Sequence, residues 1–150
     1  MRFIRALAIV LLAIAPAVAV AGPAEDASAA IDRWAAAYSA NDVSAVVNLY
    51  TPDAIVLGTA NPNMAEGTDA IRSYFGAILP GSGNKVAIKE RRVIALSEGV
   101  AFGTGFYEFT RMRGGQPVLD PARFTMLLVN RGGTWLIAHQ HSSPRPKPPQ

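Results

Sequence analysis

Apolar positions change period once along this chain, and the change divides it in two. Ile31, Trp34, Ala35 and Tyr38 fall at i, i+3, i+4 and i+7, which predicts an amphipathic helix over 24–40 with Asp26 or Ser28 as its cap. Asn41-Asp42 ends that helix and caps a second one over 43–50, stopped by Thr51-Pro52. Residues 54–57 read as a short apolar strand and 58–67 as a loop. Thr68 caps a third helix with Ile71, Tyr74, Phe75 and Ile78 on one face, ended by the Pro-Gly-Ser-Gly stretch at 80–83. From Val86 onward the period is two. Residues 86–96 predict a strand with a bulge at 90–92, followed by a turn at 97–99 and an aromatic-rich strand over 100–111. Gly114-Gly115 then marks a hairpin turn into a returning strand over 118–130, and Gly132-Gly133 marks another into a strand that ends at 143. Helices followed by an antiparallel meander argue an α+β fold. The helices are expected across the concave side of a curved sheet, giving a cone with a pocket at its open end.

A two-residue turn at Gly132-Gly133 pairs Arg131 with Thr134 and sorts the last hairpin into two faces. One face gathers Arg123, Thr125, Leu127, Val129, Leu136, Ala138, Gln140 and Ser142. The other gathers Phe124, Met126, Leu128, Trp135, Ile137, His139 and His141. A three-residue loop would set His141 opposite Arg123 instead. The Gly114-Gly115 turn pairs Arg113 with Gln116, which sets Phe106 opposite Arg123 and Glu108 diagonal to it, unless Pro121 forces a bulge. Both faces of the sheet are largely apolar, so two covers are needed. Helices are expected over the Arg123 face and a second subunit over the Phe124 face.

Composition changes the picture at the two ends. Arg2 and Arg5, an apolar run over 6–15, Pro16 and Ala19-Val20-Ala21 have the form of a signal peptide over 1–21. The expectation is an exported protein, periplasmic or secreted, starting near Gly22 and free of the membrane after cleavage. Residues 22–143 form one domain, and 144–150 form a proline-rich tail expected to be extended and disordered. The 14 Lys and Arg fall to 10 once Arg2, Arg5, Arg145 and Lys147 are set aside, against 11 Asp and Glu. A body so near neutrality gives no support for nucleic-acid binding. The chain has no cysteine, which removes disulfides, thiol catalysis and cysteine metal sites.

The order of elements, Trp34 with Asn41-Asp42, and the ending Gly133-Thr134-Trp135-Leu136-Ile137-Ala138-His139-Gln140-His141-Ser142-Ser143 resemble the nuclear transport factor 2-like superfamily. The stretch from Arg123-Phe124-Thr125 onward is similar to the association domain of calcium/calmodulin-dependent protein kinase II and its bacterial relatives. The resemblance implies a cone that dimerises through its sheets, assembles into rings and has a pocket lined by arginines. Arg123 matches one of these arginines; Phe106 and Ser142 stand where two others would be. No kinase domain accompanies the match. Ketosteroid isomerase and SnoaL-like polyketide cyclases share the fold and are enzymes, so fold alone does not decide function.

Arg123 in an apolar strand needs an anion, a carboxylate partner or water. Either it anchors a ligand oxygen or it pairs with Glu108 or Asp120. His139 and His141 sit at i, i+2, but no further His or Cys completes a metal site, and they are expected at a subunit interface with Phe124, Met126, Trp135 and Ile137. Gln140, Ser142, Phe106, Tyr38 and Trp34 are expected to line the pocket with Arg123, and Tyr74 and Tyr107 are further aromatic candidates. The leading expectation is a non-enzymatic ligand-binding or assembly module, a homodimer or ring-like oligomer without cofactor or metal, holding a small organic ligand. The alternative is an isomerase- or cyclase-type enzyme in which Tyr38 or Arg123 stabilises an enolate and Glu108 is the base.

Overall fold

A computed structural model describes residues 22–147, in which six strands form one sheet. The elements are α1 (Pro23–Ser39), α2 (Val43–Val47), β1 (Tyr50–Leu57), β2 (Ala65–Glu66), α3 (Gly67–Ile78), β3 (Lys85–Ser97), β4 (Val100–Arg113), β5 (Gln116–Arg131) and β6 (Thr134–Pro144). The strands lie in the order β2-β1-β6-β5-β4-β3, and among the described residues only the β1–β6 pair is parallel. The α+β cone is therefore present, with a longer first strand than the apolar run predicts. β1 begins at Tyr50, a residue expected at the end of the second helix. It tolerates Pro52 because the β1–β6 ladder is interrupted between Tyr50 and Ile55, where no amide is required. The segment expected as a signal peptide, 1–21, lies outside the described residues, as does the end of the tail, 148–150.

Local chemistry sets the helix ends. Pro23 opens α1 behind Gly22, where its missing N–H costs nothing, so neither Asp26 nor Ser28 is the cap. Asp42 does cap α2, accepting from the Ala45 amide at 2.9 Å. Thr68 lies inside α3, behind Glu66. Asn41 adopts a left-handed φ of 57° after α1. Its Nδ2 donates to the Tyr38 and Asn84 carbonyls at 3.0 and 2.7 Å, and its Oδ1 accepts from the Gly83 amide at 3.0 Å. This one side chain ties the end of α1 to the loop that follows α3.

The β4–β5 register is the expected one. Arg113 pairs with Gln116 and Phe106 with Arg123, and Pro121 sits opposite Glu108 without breaking the ladder. The β5–β6 hairpin also starts as expected, with Arg131 opposite Thr134 and Leu128 opposite Ile137. Beyond that, Ala138 is an extra residue. Leu127 pairs with His139, Met126 with Gln140, Phe124 with Ser142 and Arg123 with Ser143. A bulge of this kind exchanges the two faces of a strand from that point on.

Two expectations fall with it. The helices cover the Phe124 face, not the Arg123 face. Phe124, Met126, Trp135 and Ile137 are buried on the helix-covered face to 3 % exposure or less and are core residues rather than a subunit interface. The physical reason is the larger apolar load of that face, since burying each such side chain stabilises by roughly 1.5–3 kcal/mol. His139 and His141 leave these residues and emerge on the open face, while Gln140 and Ser142 turn inward, 3 % and 7 % exposed. The tail also departs from expectation at its start. Pro144 ends β6, and the Arg145 amide donates to the Pro121 carbonyl at 2.9 Å.

Two glycines let the layers approach. A Cβ at Gly103 would meet the Ile31 side chain of α1 at 2.5 Å. A Cβ at Gly105 would overlap the Glu90 carbonyl and come within 2.8 Å of Arg91 Cα, where β3 bulges between Ile88 and Glu90. Gly105→Ala is accordingly expected to destabilise by about 1–3 kcal/mol, because the clash is with backbone. Gly76→Ala, in α3 with open space around it, is expected to stabilise by about 1 kcal/mol. Urea denaturation of both variants checks the pair, and equal shifts of one sign would contradict it.

Candidate functional site in the cone

Burial of aromatic side chains on α1, α3 and β4 against β6 creates a small chamber between helices and sheet. Trp34 and Tyr38 enter from α1, Tyr74 and Phe75 from α3, Tyr107, Phe109 and Arg111 from β4, Gln140 and Ser142 from β6, and Thr59 from the loop after β1. The free space is ≈ 10 Å³, room for about one water molecule. Trp34 and Tyr107 stack with centroids 6.0 Å apart, and Tyr107 stacks on Phe124 at 4.9 Å.

The polar atoms of Trp34, Tyr50 and Tyr107 are engaged with one another or with β6. Trp34 Nε1 donates to the Tyr50 hydroxyl at 2.8 Å, and that hydroxyl donates to Gln140 Oε1. The Tyr107 hydroxyl donates to Ser142 Oγ, which also shares a hydrogen bond with Thr59 Oγ1. Burial pushes the Tyr38 phenol up to about 12, against the smaller opposing pull of Arg111. Burial likewise raises Tyr50, partly offset by the Trp34 hydrogen bond, and Tyr107, partly offset by Ser142 and Gln140. Tyr74 rises for the same reason, with its bond to the Ala60 backbone opposing. The chamber is thus walled by neutral phenols at ordinary pH.

Arg111 stands at its open end. Its guanidinium carbon lies 5.2 Å from the Phe109 ring centre, and its Nε is 3.4 Å from Asp120 Oδ2. Arg113 holds the same Asp120 oxygen at 3.1 Å. Outside them a depression of ≈ 420 Å³ is lined by Thr59, Arg111, Arg113, Asp120 and Lys147, among others. No carboxylate or imidazole stands among the described residues that line the chamber itself.

Four of the expected pocket residues, Trp34, Tyr38, Gln140 and Ser142, do converge here, and so do Tyr74 and Tyr107. Arg123 and Phe106 do not. They pair with each other across β4 and β5 on the open face, where Arg123 Nε donates to Ser143 Oγ at 3.0 Å. Glu108 is on that face too, with Lys89 Nζ 3.0 Å from its Oε1, so it is neither Arg123's partner nor a base in the chamber. The alternation of β4 puts Glu108 on the opposite side from Tyr107 and Phe109. Sequence reasoning missed Tyr50, Thr59 and Arg111. Arg111 was within reach, because it continues the alternation of Tyr107 and Phe109.

The buried phenols predict a base-labile fold. A phenol whose pKa is higher folded than unfolded contributes stability that is complete below its ordinary value near 10 and is lost as pH rises toward the folded value, about 12 for Tyr38. The urea midpoint is therefore expected to hold up to about pH 9 and to fall by about pH 11, with Tyr38→Phe flattening part of the decline. A midpoint that rises over this range would contradict the assignment.

A family model described as SnoaL-like domain matches residues 27–146. A proposed calcium/calmodulin-dependent protein kinase II association domain from Xanthomonas campestris is 32 % identical, with a TM-score of 0.78 over 90 % of this chain and 94 % of that one. A ketosteroid isomerase-like protein from Erwinia carotovora atroseptica is 24 % identical, with a TM-score of 0.70 over 83 % of this chain and 97 % of that one. A proposed scytalone dehydratase from Novosphingobium aromaticivorans shares the fold at 13 % identity, with a TM-score of 0.72 over 81 % and 83 % of the two chains. No curated protein sequence matches the chain. From the match across 27–146, the helix-covered mixed sheet and the chamber beneath it, the chain belongs to the SnoaL-like family of the nuclear transport factor 2-like fold.

Proposed function

We propose that this chain is an exported, oligomeric binding module that takes a small organic ligand into the cone and performs no reaction on it. One observation carries the reading. Protonated phenols, Gln140 and Arg111 converge on an enclosed space with no carboxylate or imidazole among its described lining. Such a lining offers donors to a carbonyl or carboxylate oxygen and aromatic faces to a flat body, but no base to take a proton. Arg111, at the mouth, replaces Arg123 as the charged anchor, and a ligand carboxylate would compete with Asp120 for it.

The chamber's small volume requires Tyr38 or Tyr74 to swing aside when a ligand enters. The ligand class is a small aromatic acid or ketone. Self-association is assigned to the apolar end of the open sheet face, where Ile94 and Leu96 are 36 % and 61 % exposed. Export rests on the form of residues 1–21 alone.

Native mass spectrometry of the purified mature chain is expected to show more than one subunit and a retained small molecule. Quenching of Trp34 fluorescence by 4-hydroxybenzoate should report binding, and Arg111→Leu should weaken it at least about tenfold, the scale of a charge-assisted hydrogen bond. Conversion of a β,γ-unsaturated ketone to its conjugated isomer by the wild type, abolished by Tyr38→Phe, would overturn the non-enzymatic reading in favour of an isomerase.

A further inference from the structure

The open face of the sheet carries a second concavity, separate from the cone. It has a volume of ≈ 500 Å³. Strand register explains its shape. One row across β3, β4, β5 and β6 reads Glu90, Phe106, Arg123 and Ser143, and the next reads Arg92, Thr104, Thr125 and His141. Directly paired residues share a face, so these rows lie side by side on the side away from the helices. In the second row two short threonines sit between a long arginine and an imidazole. The threonines form the floor, and Arg92, Arg123, His141 and Phe106 form the walls.

The polar groups of this bowl are arranged rather than scattered. Ser143 Oγ accepts from Arg123 Nε at 3.0 Å, which fixes the guanidinium and leaves its two terminal nitrogens free. Thr104 Oγ1 donates to the Phe124 carbonyl at 2.9 Å and stands 3.2 Å from Thr125 Oγ1, so the floor is held flat. The Arg145 guanidinium carbon lies 4.1 Å from the Phe106 ring centre and adds a third cation beside the wall. Among the described residues, no ion pair engages Arg92, Arg123 or Arg145. Glu90 is the single acid of the two rows. Arg91, between Glu90 and Arg92, points the other way and pairs with Asp32.

Two guanidiniums facing one small basin, with hydroxyls below and an aromatic ring beside them, match a planar carboxylate on an apolar body. We propose that this bowl binds a small organic carboxylate, held by Arg123 and Arg92 over Thr125, with its apolar part against Phe106. The site is independent of the cone and does not depend on what the cone binds.

The test uses the mature full-length chain, benzoate as the probe, and inorganic phosphate at equal ionic strength as the comparison. Amide and imidazole NMR signals are followed through each titration. The expected result is a saturable shift at Thr125 and at the His141 ring, stronger for benzoate than for phosphate. Arg123→Gln should weaken the benzoate response at least tenfold, and Arg92→Gln, on another strand, serves as the second variant. Arg111→Leu should leave the shifts at Thr125 and His141 in place and alter only those at the cone, which separates the two sites. Equal responses to benzoate and phosphate, an unchanged affinity in Arg123→Gln, or shifts confined to Trp34 and Tyr38 would overturn the proposal. So would dissociation of the oligomer by Arg123→Gln with no effect on benzoate, since the bowl would then belong to a subunit contact.

Discussion

Phenols and an indole buried away from water must find hydrogen-bond partners inside the protein, and in this chain β6 supplies them. Gln140 accepts from Tyr50, which itself accepts from Trp34, and Ser142 accepts from Tyr107. Each of these groups left unpartnered would cost about 1–3 kcal/mol. Losses of that size are large beside the roughly 5–15 kcal/mol that holds a domain together. The partners arrive because Ala138 is one residue too many for the ladder. A β6 without that bulge would carry the inward alternation of Trp135 and Ile137 on to His139 and His141, and would turn Gln140 and Ser142 out to the open face.

The same extra residue builds the other side of the sheet. Once the phase changes, His141 stands next to Thr125 and Ser143 next to Arg123, which completes the basin on the open face and orients its guanidinium. A second phase change, in β3 between Ile88 and Glu90, places Glu90 and Arg92 beside Phe106 and Thr104, and turns Arg91 toward Asp32 of α1. Gly105 makes that second bulge possible, because any side chain there would strike the β3 backbone. Two single-residue irregularities on the strands flanking the β4–β5 hairpin thus decide which charged groups meet.

Much of this was legible before any coordinates. Helical spacing around Ile31 and Trp34 and around Ile71 and Phe75 located α1 and α3, and both Gly-Gly turns fixed their first pairs correctly. The β5 alternation also separated Arg123 from Phe124 correctly. Three things did not show. A bulge leaves no mark where polar residues alternate with polar residues, as in His139-Gln140-His141-Ser142. The inward face is set by five large apolar side chains, Phe124, Met126, Leu128, Trp135 and Ile137, whose combined burial outweighs a single guanidinium across the pleat. Tyr50 was hidden because β1 follows α2 closely and its partner, β6, lies almost ninety residues ahead, which no local pattern records.

Family membership leaves the chemistry open, and the groups around the chamber narrow it. Acid–base catalysis on a carbonyl compound needs a donor for the oxygen and an acceptor for the proton at the neighbouring carbon. Burial keeps the lining phenols Tyr38 and Tyr74 protonated, so donors are present beside Arg111, while Tyr50 and Tyr107 give their protons to Gln140 and Ser142. Among the described residues of the lining no carboxylate or imidazole stands as the acceptor. Glu108 faces away and meets Lys89, and the oxygen of Asp120 at the mouth is shared by two guanidiniums. Among the described residues the lining therefore sets donors for a carbonyl oxygen beside no proton acceptor, and Asp120 at the mouth could serve as one only if freed from Arg111 and Arg113.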